Sequence, residues 1–116
     1  MLRWPDRDTV DTAARAWAVA AAAARPDLRR LGYFGSYATG DWGVGSDLDL
    51  VAVVARSDRP FPARGRAWDL TGLPVPAEIL VYTAAEWDAV VARGDRFAQV
   101  MSTGVCWVWP PPPGAP

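Results

Sequence analysis

Residues 35–54 read Gly-Ser-Tyr-Ala-Thr-Gly-Asp-Trp-Gly-Val-Gly-Ser-Asp-Leu-Asp-Leu-Val-Ala-Val-Val, and the rest of the chain is interpreted around this stretch. A Gly-Ser turn opens a polar loop, and two aspartates then lead into an apolar strand. Strand side chains alternate between faces, so Asp47 and Asp49 point to one side and Leu48 to the other. Neighbouring carboxylates raise the cost of ionising each other, and a divalent cation between them removes that cost. The stretch therefore predicts a metal site, with Mg²⁺ as the usual ion where water and phosphate complete the coordination.

The Gly35-Ser36 turn suits a phosphate group. Ser36 can cap the start of a short helix, and the free backbone N–H groups at such a start bind anions. The turn and the carboxylates together give a first functional hypothesis, which is a site for a nucleotide and a metal ion.

The composition bounds the class of protein. A chain of 116 residues, 51% hydrophobic and with seven tryptophans, predicts one globular domain. The absence of histidine excludes Ser-His-Asp triads, histidine bases and histidine-ligated zinc. The single cysteine, Cys106, excludes an internal disulfide and a cysteine-cluster metal site, which is consistent with a reducing compartment.

Charge and hydropathy exclude two further classes. The formal net charge is −1 and no arginine run is longer than Arg29-Arg30, so the basic stripe typical of nucleic-acid binding is missing. The apolar run over 16–24 is too short to cross a bilayer, and three aspartates precede it, which is unlike a signal peptide. We therefore expect a cytoplasmic protein that binds neither membrane nor nucleic acid directly.

Apolar periodicity and turn residues predict an α/β fold of the α+β type. It is a two-layer sandwich in which helices pack on a mixed four-stranded sheet. The predicted helices cover 8–25, a segment that begins at 83, and 95–101; the predicted strands cover 30–34, 48–55, 77–82 and 105–109. Residues 56–66 are rich in proline, glycine and charge, which predicts a loop. The domain spans 1–109, and residues 110–116 form a proline-rich tail.

Three local features refine this prediction. Thr83 and Glu86 have the spacing of a capping box, and Tyr82 and Trp87 occupy the two positions of a hydrophobic staple. Trp42 lies between the turn and the carboxylates. We expect it to pack over the domain, and the alternative is that it stacks on a purine.

Glu78 is the candidate third carboxylate. It is the only charged residue in 74–82, a predicted strand that would lie beside the strand of Asp47 and Asp49. Three carboxylates fit two-metal phosphoryl transfer, in which one ion activates the attacking group and the other holds the triphosphate. The alternatives are a solvated strand end for the two aspartates and an exposed edge residue for Glu78.

These residues resemble a known family. Gly35-Ser36, ten intervening residues, Asp47-Leu48-Asp49 and an acidic residue on a later strand are similar to the motif of the DNA polymerase β-like nucleotidyltransferase superfamily. The short chain is similar to its minimal nucleotidyltransferases, which are often encoded beside a HEPN-domain ribonuclease toxin as its antitoxin. The resemblance covers residues 8–109.

The resemblance implies roles for these residues. Gly35 and Ser36, with Ser46, would bind the ATP triphosphate. Asp47, Asp49 and Glu78 would be catalytic ligands of two Mg²⁺ ions, and Glu78 is also a candidate general base. The reaction would move AMP from ATP to a tyrosine hydroxyl of the toxin.

The chain departs from the family pattern at two positions. The third carboxylate is usually aspartate rather than glutamate, and a basic residue often stands where this chain has Thr39. Two alternatives stay open. The acceptor is a small molecule such as an aminoglycoside, with a second subunit completing its pocket, or the domain is a decayed, non-catalytic module that binds a toxin. A homodimer and a hetero-oligomer are both compatible with the sequence.

Overall fold

The computed structural model describes residues 3–112, which form a mixed four-stranded sheet with helices packed on it. In chain order the elements are α1 (Arg7–Ala24), β1 (Leu28–Phe34), α2 (Ser36–Thr39), β2 (Leu48–Val54), α3 (Phe61–Arg64), a 3-10 turn (Gly65–Ala67), β3 (Ala77–Thr83), α4 (Ala84–Ala92), α5 (Arg96–Thr103) and β4 (Cys106–Trp109). The strand order is β3-β2-β1-β4. β1 is antiparallel to β2 and β4, whereas β2 and β3 are parallel. The predicted mixed sheet is confirmed.

The start of α4 follows its local sequence. Thr83 Oγ1 accepts a hydrogen bond from the Glu86 N–H at 3.2 Å, and Glu86 Oε1 accepts one from the Thr83 N–H at 2.8 Å. The Tyr82 and Trp87 rings pack edge to face with centroids 5.9 Å apart. The capping box and the staple are therefore both formed, as predicted.

The layering differs from the predicted two-layer sandwich, because helices cover both faces of the sheet. Alternate residues of β2 enter two separate cores. Leu48, Leu50, Ala52 and Val54 pack on the α1 side, whereas Val51 and Val53 pack with residues of α4 and α5. A strand that is apolar on both faces needs cover on both faces. The molecule thus has three layers, with the sheet in the middle.

The prediction of a loop over 56–66 is incomplete, because this segment also contains a short helix. The helix is α3, whose N-cap is Pro60 and whose first turn includes Pro62. Proline is tolerated in the first turn because those N–H groups have no helical partner. Arg64 at the end of α3 is buried, with 8% of its surface exposed.

The predicted boundary after residue 109 coincides with the end of β4. It stays a prediction, and the last four residues of the predicted tail, 113–116, lie outside the described part. Among the described helices, none combines the length and apolar character needed to span a bilayer.

Candidate active site

Three chain segments meet at one end of the sheet. Because β1 is antiparallel to β2 and β3 is parallel to it, the end of β1 lies beside the starts of β2 and β3. Phe34 pairs with Asp49, and Asp49 in turn pairs with Glu78. Residues 34, 49 and 78 are therefore neighbours across three strands.

Asp49 and Glu78 lie on the same face of the sheet, because residues in register on adjacent strands point the same way. Asp49 is half-buried, while Asp47 and Glu78 are exposed. Burial raises the pKa of Asp49, and the negative charges of Glu78 and Asp47 raise it further. The structure thus brings together the three carboxylates that the sequence singled out. Their roles as ligands and as catalytic groups stay predictions.

Gly35 approaches this cluster closely through its backbone. Its φ angle is +76°, a region that side chains other than glycine rarely adopt. A Cβ atom at this position would overlap with Asp49 Oδ2. The absence of a side chain at residue 35 therefore leaves room for the Asp49 carboxylate against the turn.

Ser36 does not cap α2, contrary to the prediction. The N-cap is Gly35, no side chain caps the helix, and Ser36 is its first residue. The Ala38 and Thr39 N–H groups both donate to the Gly35 carbonyl oxygen at 3.0 Å. The first N–H groups of a helix have no partner within it, so the amides of Ser36 and Tyr37 are the ones that a phosphate could use.

The loop between α2 and β2 is held against the domain by an aromatic contact. The Trp42 indole stacks on Tyr37, with centroids 5.8 Å apart and planes 5° from parallel. Tyr37 is fully buried, and its hydroxyl donates to the Pro5 carbonyl oxygen at 3.0 Å. The prediction that Trp42 packs over the domain is confirmed. The role of Tyr37 as the stacking partner of Trp42 was not predicted. An aromatic residue five positions before Trp42 was a usable signal for it.

Ser46 closes a turn immediately before the carboxylates. Its N–H donates to the Gly43 carbonyl oxygen at 3.0 Å, and its Oγ accepts from the Gly43 N–H at 2.8 Å. These contacts fix the approach of the chain to Asp47. A contact between Ser46 and a nucleotide stays a prediction.

Positive charge is scarce near the carboxylates. Thr39 is exposed, and its hydroxyl donates to Asp41 Oδ2 at 3.0 Å, so this position adds a further acidic contact instead of a basic one. The charges that shift the pKa of Asp49 come from two carboxylates and from no arginine. A triphosphate at this site would need its charge neutralised by something other than arginine.

The carboxylates suit a hard divalent cation, although they do not enclose one. Within residues 3–112, no group of three histidine, cysteine, aspartate or glutamate side chains is arranged so that it could hold a metal ion by itself. Mg²⁺ prefers oxygen ligands and keeps several positions for water and substrate phosphates. Two observations fit a site that water and phosphate would complete. The three carboxylates repel one another, and Gly35 leaves space beside Asp49.

Residues 22–94 match the family described as Nucleotidyltransferase domain. The chain belongs to this family. The matched range is well over half of the chain and includes the Gly-Ser turn and all three carboxylates. Nucleotidyl transfer is thereby the general activity class, and the domain is a transferase domain.

A structural comparison supports the same fold. The chain is similar to a candidate nucleotidyltransferase from Sulfolobus solfataricus, with a TM-score of 0.58 and 21% sequence identity over 72% of this chain and 75% of the other. At this identity the likeness concerns the fold alone. No protein with a curated description matches the chain.

Proposed function

We propose that this protein is a magnesium-dependent adenylyltransferase that moves AMP from ATP to a hydroxyl group. We further propose that the acceptor is a tyrosine of a partner HEPN-family toxin, which the transfer would inactivate. The observation that carries the proposal is the pairing of Asp49 with Glu78 across β2 and β3, beside Asp47 and the Gly35 turn.

The reaction is a displacement at the α-phosphorus of ATP. The acceptor oxygen forms a bond to this phosphorus, the bond to the oxygen bridging to the β-phosphorus breaks, and pyrophosphate leaves with the electron pair. Glu78 is exposed at the start of β3, which supports the proposal that it takes the proton of an incoming hydroxyl. Bound Mg²⁺ would neutralise phosphate charge and lower the pKa of the attacking hydroxyl.

The other residues position the nucleotide. Asp47 and Asp49 would hold the metal ions, and the amides at the start of α2 would contact the phosphates. No arginine occurs between Arg30 and Arg56. Metal ions and backbone amides must therefore carry most of the charge neutralisation, and we expect transfer to depend strictly on the divalent cation.

Exposure of the site supports a protein as the acceptor. Asp47 and Glu78 are both exposed, and β3 lies at the edge of the sheet. With two of its three carboxylates exposed, the site would hold a small acceptor poorly. A partner surface would supply further contacts. The identity of the partner as a HEPN toxin rests on the resemblance of the motif to minimal nucleotidyltransferases.

The site is tested by titrating ATP with Mg²⁺ into the wild-type protein and into the double variant Asp47→Ala with Asp49→Ala. We expect the double variant to bind at least roughly tenfold more weakly, because it loses two ligands of the metal ions. A control with Asp8→Ala and Asp88→Ala removes the same charge from exposed positions on α1 and α4. Equal affinity of wild type and the Asp47/Asp49 variant would falsify the metal-site assignment.

The acceptor is tested with the protein encoded next to this chain, if that protein is helical and carries an Arg-x4–6-His motif. Mass spectrometry should find one or more AMP groups on tyrosine after incubation with wild type, ATP and Mg²⁺, and none with the Asp47/Asp49 variant. Transfer only to a small-molecule hydroxyl by a homodimer would favour the aminoglycoside-type alternative.

A non-catalytic function is the second candidate, and the glutamate at position 78 favours it. The longer side chain differs from the aspartate usual in the superfamily. If the Asp47/Asp49 variant neutralises the toxin as well as wild type does, without ATP, then the domain acts by masking its partner.

A further inference from the structure

A polar cavity lies at the opposite end of the sheet from the carboxylates. It has a volume of about 220 Å³ and lies among the α1–β1 turn, the loop after β2 and the 3-10 turn. Its charged lining consists of Arg25, Arg56, Arg59, Arg64, Asp27 and Asp58. Because the Arg64 guanidinium is already paired with the Glu86 carboxylate, the charges left at the cavity are those of three arginines and two aspartates, an excess of one positive charge. The end of β2 is five residues from Asp49, roughly 16 Å along the strand.

The loop that forms one wall of this cavity is held in place. Arg64 is buried, and its Nε donates to the Arg59 carbonyl oxygen at 2.8 Å while its Nη1 donates to the Val81 carbonyl oxygen at 3.1 Å. The Arg59 N–H donates to Ser57 Oγ at 3.2 Å. These bonds hold the backbone of residue 59, and the Arg56 and Arg59 residues that line the cavity are both exposed.

Arg25 forms the opposite wall in a fixed orientation. Its Nη2 donates to the Ala67 carbonyl oxygen at 2.7 Å, and its guanidinium lies 3.9 Å above the Trp68 ring. Across residues 3–112, the ion pairs present do not join Arg25, Arg56 or Arg59 to either aspartate of the lining. The charges of Arg25, Arg56 and Arg59 are therefore not cancelled by direct pairing, whereas that of Arg64 is paired with Glu86.

We infer that this cavity binds a phosphate-class oxyanion. Several guanidinium groups around one small space match the tetrahedral oxygens of phosphate, because arginine donates pairs of hydrogen bonds in a planar fork. The volume is below the range of about 300–1,000 Å³ typical of pockets for whole small molecules, so it suits a phosphate group rather than a complete nucleotide. Arg25 already covers the Trp68 ring, which leaves that ring unavailable for stacking by a base.

The test is a calorimetric titration of inorganic phosphate into the full chain, without magnesium and at constant ionic strength set with chloride. We expect saturable one-site binding that weakens about tenfold in Arg56→Ala with Arg59→Ala, since charged hydrogen bonds are lost. The control with Arg93→Ala and Arg96→Ala removes two exposed arginines elsewhere, on the α4–α5 side, and should bind as wild type does. The Asp47/Asp49 variant should also bind phosphate normally, which separates this site from the proposed active site.

Three results would overturn the inference: no saturable binding, equal affinity in the Arg56/Arg59 variant, or an equal loss in the Arg93/Arg96 control. Circular dichroism verifies that the variants are folded. If the double variant is unfolded, Arg56→Gln alone replaces it, with an expected loss of about threefold.

The source of the phosphate is resolved by titrating AMP into the Asp47/Asp49 variant. Binding of AMP at least as tight as that of inorganic phosphate, and sensitive to Arg56→Gln, indicates the phosphate group of a nucleotide. Weaker binding of AMP indicates the free ion.

Discussion

The chain contains two glutamates, Glu78 and Glu86, and they stand in opposite environments. Glu86 accepts hydrogen bonds from both Nη atoms of Arg64 and from the Thr83 N–H. These contacts, the Arg64 hydrogen bond first, lower the pKa of Glu86 to about 2. Glu78 lies beside Asp49 and contributes to raising the pKa of that carboxyl. The charge of Glu86 is therefore neutralised within the protein, whereas Glu78 adds to a local excess of negative charge.

The difference separates a carboxylate used within the fold, Glu86, from one that the proposed function uses, Glu78. The Arg64–Glu86 pair joins α3 to α4, so its energy is used within the fold. The ion pairs found in residues 3–112 do not involve Asp47, Asp49 or Glu78. A cluster of like charges that the protein leaves unneutralised is best stabilised by a cation from outside. The contrast gives predictions for four variants, from the largest expected effect to the smallest.

Glu78→Gln should lower the rate of AMP transfer by about 100-fold, because it removes a proposed metal ligand that is also the candidate base. Its free energy of unfolding should stay within about 0.5 kcal/mol of wild type, since the side chain is exposed. Transfer kinetics and urea denaturation measure the two effects. A large loss of stability with unchanged transfer would reverse the roles of the two glutamates.

Glu86→Gln should do the opposite and lower the free energy of unfolding by about 2 kcal/mol at pH 7, with transfer unchanged. A broken buried pair costs about 3–5 kcal/mol, and the value is lower here because 41% of the Glu86 side chain is exposed.

The effect of Glu86→Gln should also depend on pH. The folded pKa of about 2 lies below the ordinary value of 4.5, so the Glu86 carboxylate stabilises the fold above pH 4.5 and loses this contribution as the pH falls towards 2. Urea denaturation at pH 7 and pH 3 should therefore show a smaller difference between wild type and variant at pH 3. A constant difference would count against the pairing with Arg64.

Gly35→Ala should lower transfer roughly tenfold, because the added Cβ displaces the Asp49 carboxylate. Gly40→Ala is the matched control. Gly40 also has a positive φ, +91°, but a Cβ there meets nothing within 4 Å. Both variants should lose about 1–2 kcal/mol of stability from backbone strain, while only the first should lose activity. Equal activity of the two variants would remove the argument that Gly35 makes room for Asp49.

Asp49→Asn should raise the free energy of unfolding of the metal-free protein by about 0.5 kcal/mol at pH 7. The pKa of Asp49 is raised in the fold, so its ionised form destabilises the native state at neutral pH. This cost disappears as the pH falls below the ordinary pKa, so the gain should vanish near pH 3. Urea denaturation at both pH values, with Asp88→Asn as the exposed control, tests the sign.

The sheet and the placement of Asp47 and Asp49 on one face could be predicted from sequence, because both depend on local signals. Apolar runs located the strands, and the alternation of Asp47, Leu48 and Asp49 assigned the two aspartates to one face. The pairing of Glu78 with Asp49 depends on the parallel register of β2 and β3, which only the structure provides.

The missed features depend on contacts between distant residues. Arg64 lies in a segment rich in proline and charge, where an arginine is usually solvated, and its partner Glu86 follows 22 residues later. Nothing local to either residue indicates the pair. The expected cap at Ser36 failed for a different reason: Gly35 occupies the N-cap position, with a backbone conformation that other residues rarely adopt.

The position of β3 at the edge of the sheet has a consequence for the order in which the proposed active site forms. Glu78 is held to the other carboxylates by pairing with one strand only. Edge strands open locally at lower free energy than central ones. Brief detachment of β3 would separate the third carboxylate from Asp49 while the β1–β2 pair stays intact. The carboxylate cluster would therefore form last on folding and open first on unfolding. Amide hydrogen exchange should accordingly be faster in residues 77–80 than in 50–53.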